Sequence, residues 1–410
     1  MTDAVAAAPP PRKAAFAFVF VTVLLDTMAL GIVVPVLPTI VLGFVDNDTA
    51  QAAHVVGALG AFWATMQFVS MPFLGALSDQ FGRRPVILIS NFGMAAAYLI
   101  VATAPSLIWI FASRILSGIA AASVSTANAY IADVTPPDQR AARFGVLGAA
   151  FGAGFVLGPA IGGLLGAADP RLPYWAAAIC SLVNATYGVF VLPESLAKEN
   201  RRTFSWRRAN PVGAFDFLRE RPQIAGLAGA RFLEGLAQVV LPSSFVLYAS
   251  HRYGWDTATI GLTLGMVGVS SVLVNVFLVR RVVRALGERR ALLTGLVCGA
   301  LGFAVYGTAP TGALFWLGIP LQSCWAIGGA AAQSILTRQV EPNEQGQLQG
   351  ALAAVMGVGG MIGPPLFTTI FAIGIAGGLG ADLPGAPYYL GALFLVGAWT
   401  IARAATRPAA

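Results

Sequence analysis

Long apolar stretches alternate with short polar connections along almost the whole chain of 410 residues. A helix needs about 20 mostly apolar residues to cross a bilayer. Twelve stretches reach this length, and we number them spans 1 to 12. In chain order they cover 15–43, 54–77, 85–104, 106–131, 143–166, 172–192, 223–250, 257–279, 290–308, 311–333, 346–371 and 386–402. The pattern therefore predicts an all-α integral membrane protein with twelve transmembrane helices.

The second half of the chain repeats the first at a fixed offset. Several Gly and Pro residues recur 205 residues later: Gly82 and Gly287, Pro137 and Pro342, Gly145 and Gly350, and Gly158-Pro159 and Gly363-Pro364. Such a repeat predicts two pseudo-symmetric six-helix bundles around a site near the bilayer midplane. The predicted boundaries are a tail at 1–14, a first half at 15–192, a linker at 193–222, a second half at 223–404 and a tail at 405–410.

Charge is scarce and unevenly placed. Charged residues make up 10% of the chain and hydrophobic residues 57%. Of the 25 Lys and Arg residues, 21 fall in the termini, linker and loops on one side of the predicted membrane, and two on the other. The positive-inside rule then places both termini and the linker in the cytoplasm. Topology accounts for the net charge of +7, so we expect the lipid bilayer as a partner and no nucleic acid.

The loop between spans 2 and 3 has the spacing Gly75-x-x-x-Asp79-x-x-Gly82-Arg83-Arg84. It resembles the signature loop of the major facilitator superfamily. That resemblance implies that these residues, with Asp133 at the end of span 4, latch the cytoplasmic gate while the protein faces outward. In the second half Arg284 stands where Asp79 would be, so we expect a carboxylate latch in the first half only.

Further segments extend the resemblance to nearly the whole chain. They are Arg114-Ile-Leu-Ser-Gly118 in span 4, the glycine-rich run 152–163 in span 5, and the segments 25–38, 129–138, 192–195 and 344–350. Together they resemble the drug:proton antiporter branch, and most closely the tetracycline/proton antiporters. This implies an antiporter helix in span 5 that includes Gly154, Gly158, Pro159 and Gly162, and a cavity lined by spans 1, 4, 7 and 10.

Four charged residues fall inside spans: Asp26, Arg114, Arg231 and Glu234. An intramembrane charge costs at least about 2.5–3.5 kcal/mol, so each needs a partner or an aqueous cavity. With a helical rise of about 1.5 Å per residue, all four lie near the middle of a core about 30 Å thick. We interpret Asp26 as the proton carrier, coupled to Arg114, and Glu234 as the second candidate.

Two readings of the span 7 charges stay open. Arg231 and Glu234 are three residues apart and share a helical face, so they form either part of the central site or a pair that only steadies span 7. The 205-residue shift also places Asp26 on Arg231, so these opposite charges could face each other across the cavity.

Polar and aromatic residues within spans are the candidates for contact with a substrate. We select Gln67, Asn128, Gln238, Gln322 and Trp325. A mostly apolar pocket with a few polar groups suits an amphipathic small molecule. The tetracycline antiporters that this chain resembles carry further acids in spans 3 and 9, and this chain has none inside those spans. The expected substrate is therefore a drug or a metabolite, with tetracycline-like resistance as one outcome.

The function expected is proton-coupled export by alternating access in the bacterial inner membrane, by a protein that works as a monomer. It needs no cofactor, because the proton gradient drives it, and we expect no catalytic residue and no metal site. The three Cys residues have no His or second Cys at metal-binding spacing. Two alternatives remain: a symporter or facilitator that imports a nutrient on the same fold, and a membrane scaffold that transports nothing.

Overall fold

The computed structural model describes residues 13–121, 123–135, 139–201, 203, 217–341, 344–380 and 382–407. Residues 202 and 204–216 of the predicted linker lie outside this set. All regular structure in the described residues is helical. Eleven helices or interrupted helices among them are long and apolar enough to cross a membrane, and Leu107–Ala120 in span 4 is a shorter apolar helix. The predicted all-α membrane fold is confirmed.

The helices follow the predicted spans with shifted ends. In the first half they cover Lys13–Val33 and Leu37–Leu42 (span 1), Thr49–Phe81 (2), Arg83–Ala102 (3), Leu107–Ala120 and Ser123–Val134 (4), Arg140–Ala168 (5) and Leu172–Val191 (6). In the second half they cover Pro222–Gln238 and Val240–Tyr253 (7), Thr257–Leu273, Val274–Leu278 and Val279–Leu286 (8), Glu288–Thr308 (9), Gly312–Ser323 and Ala326–Thr337 (10), Gln345–Ile375 (11) and Ala386–Ala405 (12). The middle segment of span 8 is a π-helix.

Spans 4, 7 and 10 are interrupted near their middles and span 1 toward its predicted outer end, although the apolar pattern predicts continuous helices there. Proline accounts for two of the interruptions, because it has no N–H to donate to the residue four positions earlier. Pro242 follows the break at Val239 in span 7, and Pro35 lies in the break of span 1. The same four spans are those expected to line the cavity.

Two pairs of helices join the predicted halves. Span 2 packs along span 11, and span 5 packs along span 8, and we call these two contacts the seams. The seams are tight near the predicted outer surface. A Cβ placed on Gly57 would lie 3.0 Å from the Cα of Pro365, and one placed on Gly163 would lie 2.8 Å from the Cα of Gly261. Toward the predicted cytoplasmic end, no described atom lies within 4 Å of a Cβ placed on Gly75, Gly346 or Gly350.

The glycines of the predicted antiporter helix bring span 5 against span 1. A Cβ on Gly154 would lie 2.9 Å from the backbone N of Met28, and one on Gly158 would lie 2.6 Å from the carbonyl oxygen of Met28. One on Gly162 would overlap the carbonyl oxygen of Ile32. Since backbone atoms block these positions, a larger side chain would push the two helices apart.

Pro159 lies within this helix, which continues from Arg140 to Ala168. Its ring also reaches span 1, because its Cδ lies 2.8 Å from a Cβ placed on Gly31.

These contacts predict a large stability difference between two Gly→Ala substitutions in span 5. Gly158→Ala inserts a methyl group against backbone atoms, so we expect the free energy of unfolding to fall by about 1–3 kcal/mol. Gly148→Ala is the matched control, because no described atom lies within 4 Å of a Cβ at this position. Thermal unfolding of the detergent-solubilised proteins, followed by tryptophan fluorescence, measures both. Equal midpoints for the two variants would contradict the packing role of Gly158.

Candidate functional site

Asp26 is held by a buried amide of span 6. The side chain Nδ2 of Asn184 donates to Asp26 Oδ1 at 2.9 Å, and Thr22 Oγ1 donates to Asn184 Oδ1 at 3.0 Å. Asn184 is fully buried, whereas Asp26 is half-buried. The amide therefore fixes the direction of the carboxylate while one side of it stays accessible. Sequence reasoning did not connect Asn184 with Asp26.

Arg114 lies near Asp26 without an ion pair between them among the described residues. Its Nη2 donates to the Tyr174 hydroxyl at 3.2 Å, and its buried Nε has no hydrogen-bond partner in the described structure. The hydroxyl of Tyr98 in span 3 lies within electrostatic range of both Asp26 and Arg114. The two charges thus share a buried environment that includes two tyrosines, which the sequence did not predict.

Arg231 and Glu234 form an ion pair on one face of span 7. Arg231 Nη1 lies 2.7 Å from Glu234 Oε2, and Glu234 is only 3% exposed. Its second oxygen, Oε1, is buried and makes no hydrogen bond of standard geometry to a described residue. This geometry matches the reading of a pair within span 7. That Arg231 and Asp26 face each other across the cavity stays a prediction.

Trp325 is the predicted substrate residue that lies closest to these charges. It sits in the interruption of span 10, and its indole N–H faces Glu234. The ring packs on Phe303 of span 9 with centroids 5.8 Å apart. A Cβ on Gly299 would lie 2.9 Å from the ring, so the small residue in span 9 makes room for the indole.

The other predicted substrate residues lie apart from this group. Gln67 is half-buried in span 2, and Gln238 is exposed at the end of the first helix of span 7. The Cα of Gln322 lies 2.6 Å from a Cβ placed on Gly302, so the base of its side chain faces span 9. The side chain of Asn128 lies outside the described residues.

An apolar cavity of about 250 Å³ lies between spans 7 and 11. It is lined by Leu218, Ala225, Ala228, Gly229, Phe232, Val355 and Val358. Pockets for drug-sized molecules occupy about 300–1,000 Å³, so this space fits only part of such a molecule.

The predicted gate residues form one network at the cytoplasmic end of the first half. Arg83 lies 2.6 Å from Asp79 Oδ1 and 3.2 Å from Asp133 Oδ2, and it donates to Ser78 Oγ at 2.6 Å. Arg84 Nη2 donates to the carbonyl of Val189 at 2.7 Å. One guanidinium therefore connects the ends of spans 2, 3 and 4, and the next connects span 3 to span 6.

Glu194 completes this network, and the sequence had singled it out only as part of a family segment. Its carboxylate accepts hydrogen bonds from the backbone N–H groups of Arg83 at 2.8 Å and Arg84 at 3.3 Å. A carboxylate stabilises a helix N-terminus, whose N–H groups lack partners within the helix. Gly82, with φ of +107°, leaves the space that the carboxylate fills, since a Cβ there would overlap Glu194 Oε2.

The second half also has a carboxylate contact at this level, at Glu288 rather than at the position equivalent to Asp79. Glu288 Oε1 lies 2.9 Å from Arg338 Nη2 and accepts a hydrogen bond from Ser334 Oγ at 2.6 Å. Arg284 is exposed and forms no ion pair with a described residue. A carboxylate latch in the first half only stays a prediction.

A further ion pair anchors the start of span 7. Arg221 donates two hydrogen bonds to Glu344, of which that to Oε2 is 2.6 Å long, and its guanidinium carbon lies 4.7 Å from the ring centre of Phe217. Hydrogen bonding from Arg221 lowers the pKa of the Glu344 carboxyl below its ordinary value. The contact ties the end of the linker to the start of span 11.

Comparison with known proteins gives one consistent answer. A family model described as Major Facilitator Superfamily matches residues 19–364 and, in a second match, 227–409. The chain is 39% identical to the tetracycline resistance protein, class C, of Escherichia coli, over 92% of this chain and 96% of that protein. It is 36% identical to the class G protein of Vibrio anguillarum, over 85% and 88% of the two chains.

Solved structures share the fold at lower identity. The nucleoside transporter NupG matches with a TM-score of 0.78 at 16% identity, covering 96% of this chain and 100% of that chain. The human organic anion transporter MFSD10 matches with a TM-score of 0.70 at 22% identity, covering 96% and 100%.

The position of Arg114 predicts that its charge matters more than its shape. Arg114→Lys keeps a cation near Asp26 and Tyr98, whereas Arg114→Ala leaves the acid unbalanced in a medium that solvates charge poorly. We therefore expect lower transport for Arg114→Ala than for Arg114→Lys, measured as substrate flux in membrane vesicles at equal protein levels. Equal flux in both variants would show that the charge of Arg114 is not needed and that its side chain only contributes to packing.

Asp79 is paired with Arg83 in this structure, and the latch role that the resemblance of this loop implies for Asp79 in the outward-facing state predicts a shift in gate opening. We use a background in which the three native cysteines are replaced and Gly75→Cys reports access from the cytoplasmic side. Asp79→Asn removes a charge but keeps its size, and the pair is partly exposed, so we expect a loss of about 1 kcal/mol and about fivefold faster labelling by a polar thiol reagent.

Arg284→Ala is the control for this measurement, because Arg284 occupies the equivalent position and forms no described ion pair. Its labelling rate should match the parent. The latch interpretation fails if Asp79→Asn leaves the rate unchanged, or if Arg284→Ala raises it equally.

Proposed function

The chain belongs to the major facilitator superfamily and is a secondary transporter of its drug:proton antiporter branch, and we propose that it exports an amphipathic small molecule across the bacterial inner membrane in exchange for protons. The observation that carries this proposal is the half-buried Asp26 carboxylate, fixed by Asn184 in a region shared with Arg114. A carboxylate at this depth is stable only if a proton, a cation or an aqueous cavity compensates its charge.

The proposed cycle alternates the charge of Asp26. When the cytoplasmic side is open, Asp26 gives up its proton and the substrate enters. When the outer side is open, the substrate leaves and Asp26 takes a proton. The site with a protonated, neutral Asp26 then turns back toward the cytoplasm. The free-energy cost of this step is lower than with a charged Asp26, since burial in a low dielectric disfavours the charged form. Arg114 helps the charged form while the substrate is bound, and Tyr98 and Tyr174 keep both groups in place.

Glu234 is the second acid of the proposed site. Its Oε1 makes no hydrogen bond of standard geometry to a described residue and can take a proton or a donor group of the substrate, and its other oxygen is held by Arg231. Trp325 offers a flat apolar surface beside it, and the cavity next to Phe232 fits an apolar part of the molecule.

The two seams suggest how access alternates. We propose that residues 15–192 and 223–404 move as two halves about spans 2, 5, 8 and 11, with the tails and the linker 193–222 in the cytoplasm. Contacts at Gly57 and Gly163 near the outer ends, and open space at Gly75, fit a state open to the cytoplasm. The proposed transporter acts as a monomer, and the proton gradient drives it without a cofactor.

The proposed substrate is a tetracycline-like drug or a metabolite of similar amphipathic character. Similarity to tetracycline resistance proteins over most of the chain supports a drug of this kind. Spans 3 and 9 lack the acids that the resemblance to tetracycline antiporters implies, which favours a less charged ligand or one without a bound metal ion. Substrate-dependent proton movement in reconstituted vesicles, across a panel that includes tetracycline, identifies the substrate class. The direction of proton movement relative to that of the substrate also separates export from the nutrient-importing alternative.

The proposed role of Asp26 predicts loss of coupling without loss of binding. Asp26→Asn keeps the hydrogen-bonding geometry toward Asn184 but cannot carry a proton, so uphill uptake into inverted vesicles should fall at least about 100-fold, as for an essential proton-transfer group. Downhill exchange of substrate should persist.

Asp48→Asn is the matched control. Asp48 caps the start of span 2, is exposed, and can be replaced by Asn, which caps a helix equally well. Full proton-driven uptake by Asp26→Asn would overturn the assignment of Asp26.

A further inference from the structure

The gate ion pairs of the two halves occupy equivalent positions with exchanged charges. Arg83 and Glu288 are 205 residues apart in the sequence, and so are Asp133 and Arg338. In the first half the cation stands at the start of span 3 and the acid at the end of span 4, 3.2 Å apart. In the second half the acid stands at the start of span 9 and the cation at the end of span 10, 2.9 Å apart.

Both pairs lie beside the seams. The inner helix of span 4, which ends just after Asp133, contacts spans 2 and 5, and the inner helix of span 10, which ends just before Arg338, contacts span 8. These are three of the four seam helices. Both pairs are on the predicted cytoplasmic side, where a Cβ placed on Gly75, Gly346 or Gly350 of the seam helices would have no described atom within 4 Å.

Exchanged charges have a consequence that identical copies would not have. When two symmetry-equivalent positions approach each other across a pseudo-two-fold axis, like charges repel and opposite charges attract. Asp133 and Arg338 are such equivalent positions with opposite charges. Closure of the cytoplasmic side would bring the ends of spans 4 and 10 toward each other.

We propose that Arg338 changes partner during the transport cycle, from Glu288 within its own half to Asp133 of the other half. This exchange of partners presupposes the alternating access proposed above. It would hold the cytoplasmic side closed while the outer side is open, and its release would open the cytoplasmic side.

The residues left behind by this exchange keep other partners. When Asp133 turns away, Arg83 retains Asp79 at 2.6 Å and Ser78 at 2.6 Å. When Arg338 turns away, Glu288 retains Ser334 at 2.6 Å. The Arg338 side chain is 74% exposed, so it moves without leaving a packed position. Each residue left behind therefore keeps at least one hydrogen-bonding partner.

Two charge swaps separate this proposal from a purely local role. In the Gly75→Cys background, Arg338→Glu alone and Asp133→Arg alone should each raise the labelling rate about two- to fivefold, the range expected for an exposed ion pair. The cross-half swap, Asp133→Arg with Arg338→Asp, destroys both local pairs but restores attraction between the halves. Its labelling rate should return to that of the parent or below.

The within-half swap, Glu288→Arg with Arg338→Glu, is the matched control and conserves net charge in the same way. It rebuilds the local pair but places a carboxylate opposite Asp133, so its rate should stay raised. The proposal is overturned if the within-half swap restores the parent rate while the cross-half swap does not, or if no variant changes the rate.

A second measurement does not depend on charge-reversed variants. Asp133→Cys and Arg338→Cys together, in the background without native cysteines and without the Gly75 reporter, should be linked by a short bifunctional thiol reagent in membranes. His54 of span 2 and Thr369 of span 11 are in contact at the predicted outer face. Cross-linking His54→Cys to Thr369→Cys beforehand holds the outer side shut and should suppress the link between positions 133 and 338. A link that forms equally with the outer side held shut contradicts the exchange.

Neither labelling nor cross-linking needs a substrate or a proton gradient. A vesicle assay without proton-coupled flux, together with the expected labelling pattern, would count against the proposed function alone. Proton-coupled flux, together with labelling rates that the charge swaps do not change, would count against the exchange alone.

Discussion

Water is absent from the bilayer core, so every charge and every backbone polar group placed there must find its partner within the protein. This constraint explains the contacts of the central residues. Asp26 is hydrogen-bonded to Asn184 of span 6, Arg114 to Tyr174 of span 6, and Glu234 is paired with Arg231. Each contact of the first half joins a cavity-lining span to the same supporting helix. Span 6 therefore supports both Asp26 and Arg114.

The same constraint limits how helices approach each other. Apolar association between helices gains little in lipid, so close packing of small residues has to hold the spans together. Span 5 uses two faces for this purpose. Gly154 and Gly158 meet span 1, while Gly163 meets span 8 across the seam. A single helix thus supports the span that carries Asp26 and also forms one of the two seams, so the packing of span 5 links the seam to the surroundings of Asp26.

Much of this arrangement could be predicted from the sequence, and the limits have physical reasons. Apolar length gave the spans, and the 205-residue repeat located the equivalent loops. Charges within spans marked Asp26 and Arg114 because such residues are rare and costly. Asn184 and Glu194 could not be assigned roles, since their partners lie 158 and 111 residues away and no periodicity links them. The breaks in spans 1, 4, 7 and 10 fall within stretches whose apolar length alone predicts continuous helices.

The cap formed by Glu194 sets an order of events during biosynthesis. The N–H groups at the start of span 3 are synthesised 111 residues before the carboxylate that binds them. At about 5–20 residues per second, a ribosome needs roughly 6–22 s to cover that distance. Throughout this interval the N–H groups at the start of span 3 lack the carboxylate that binds them in the folded protein. The cap on span 3 can therefore form only after residue 194 has left the ribosome.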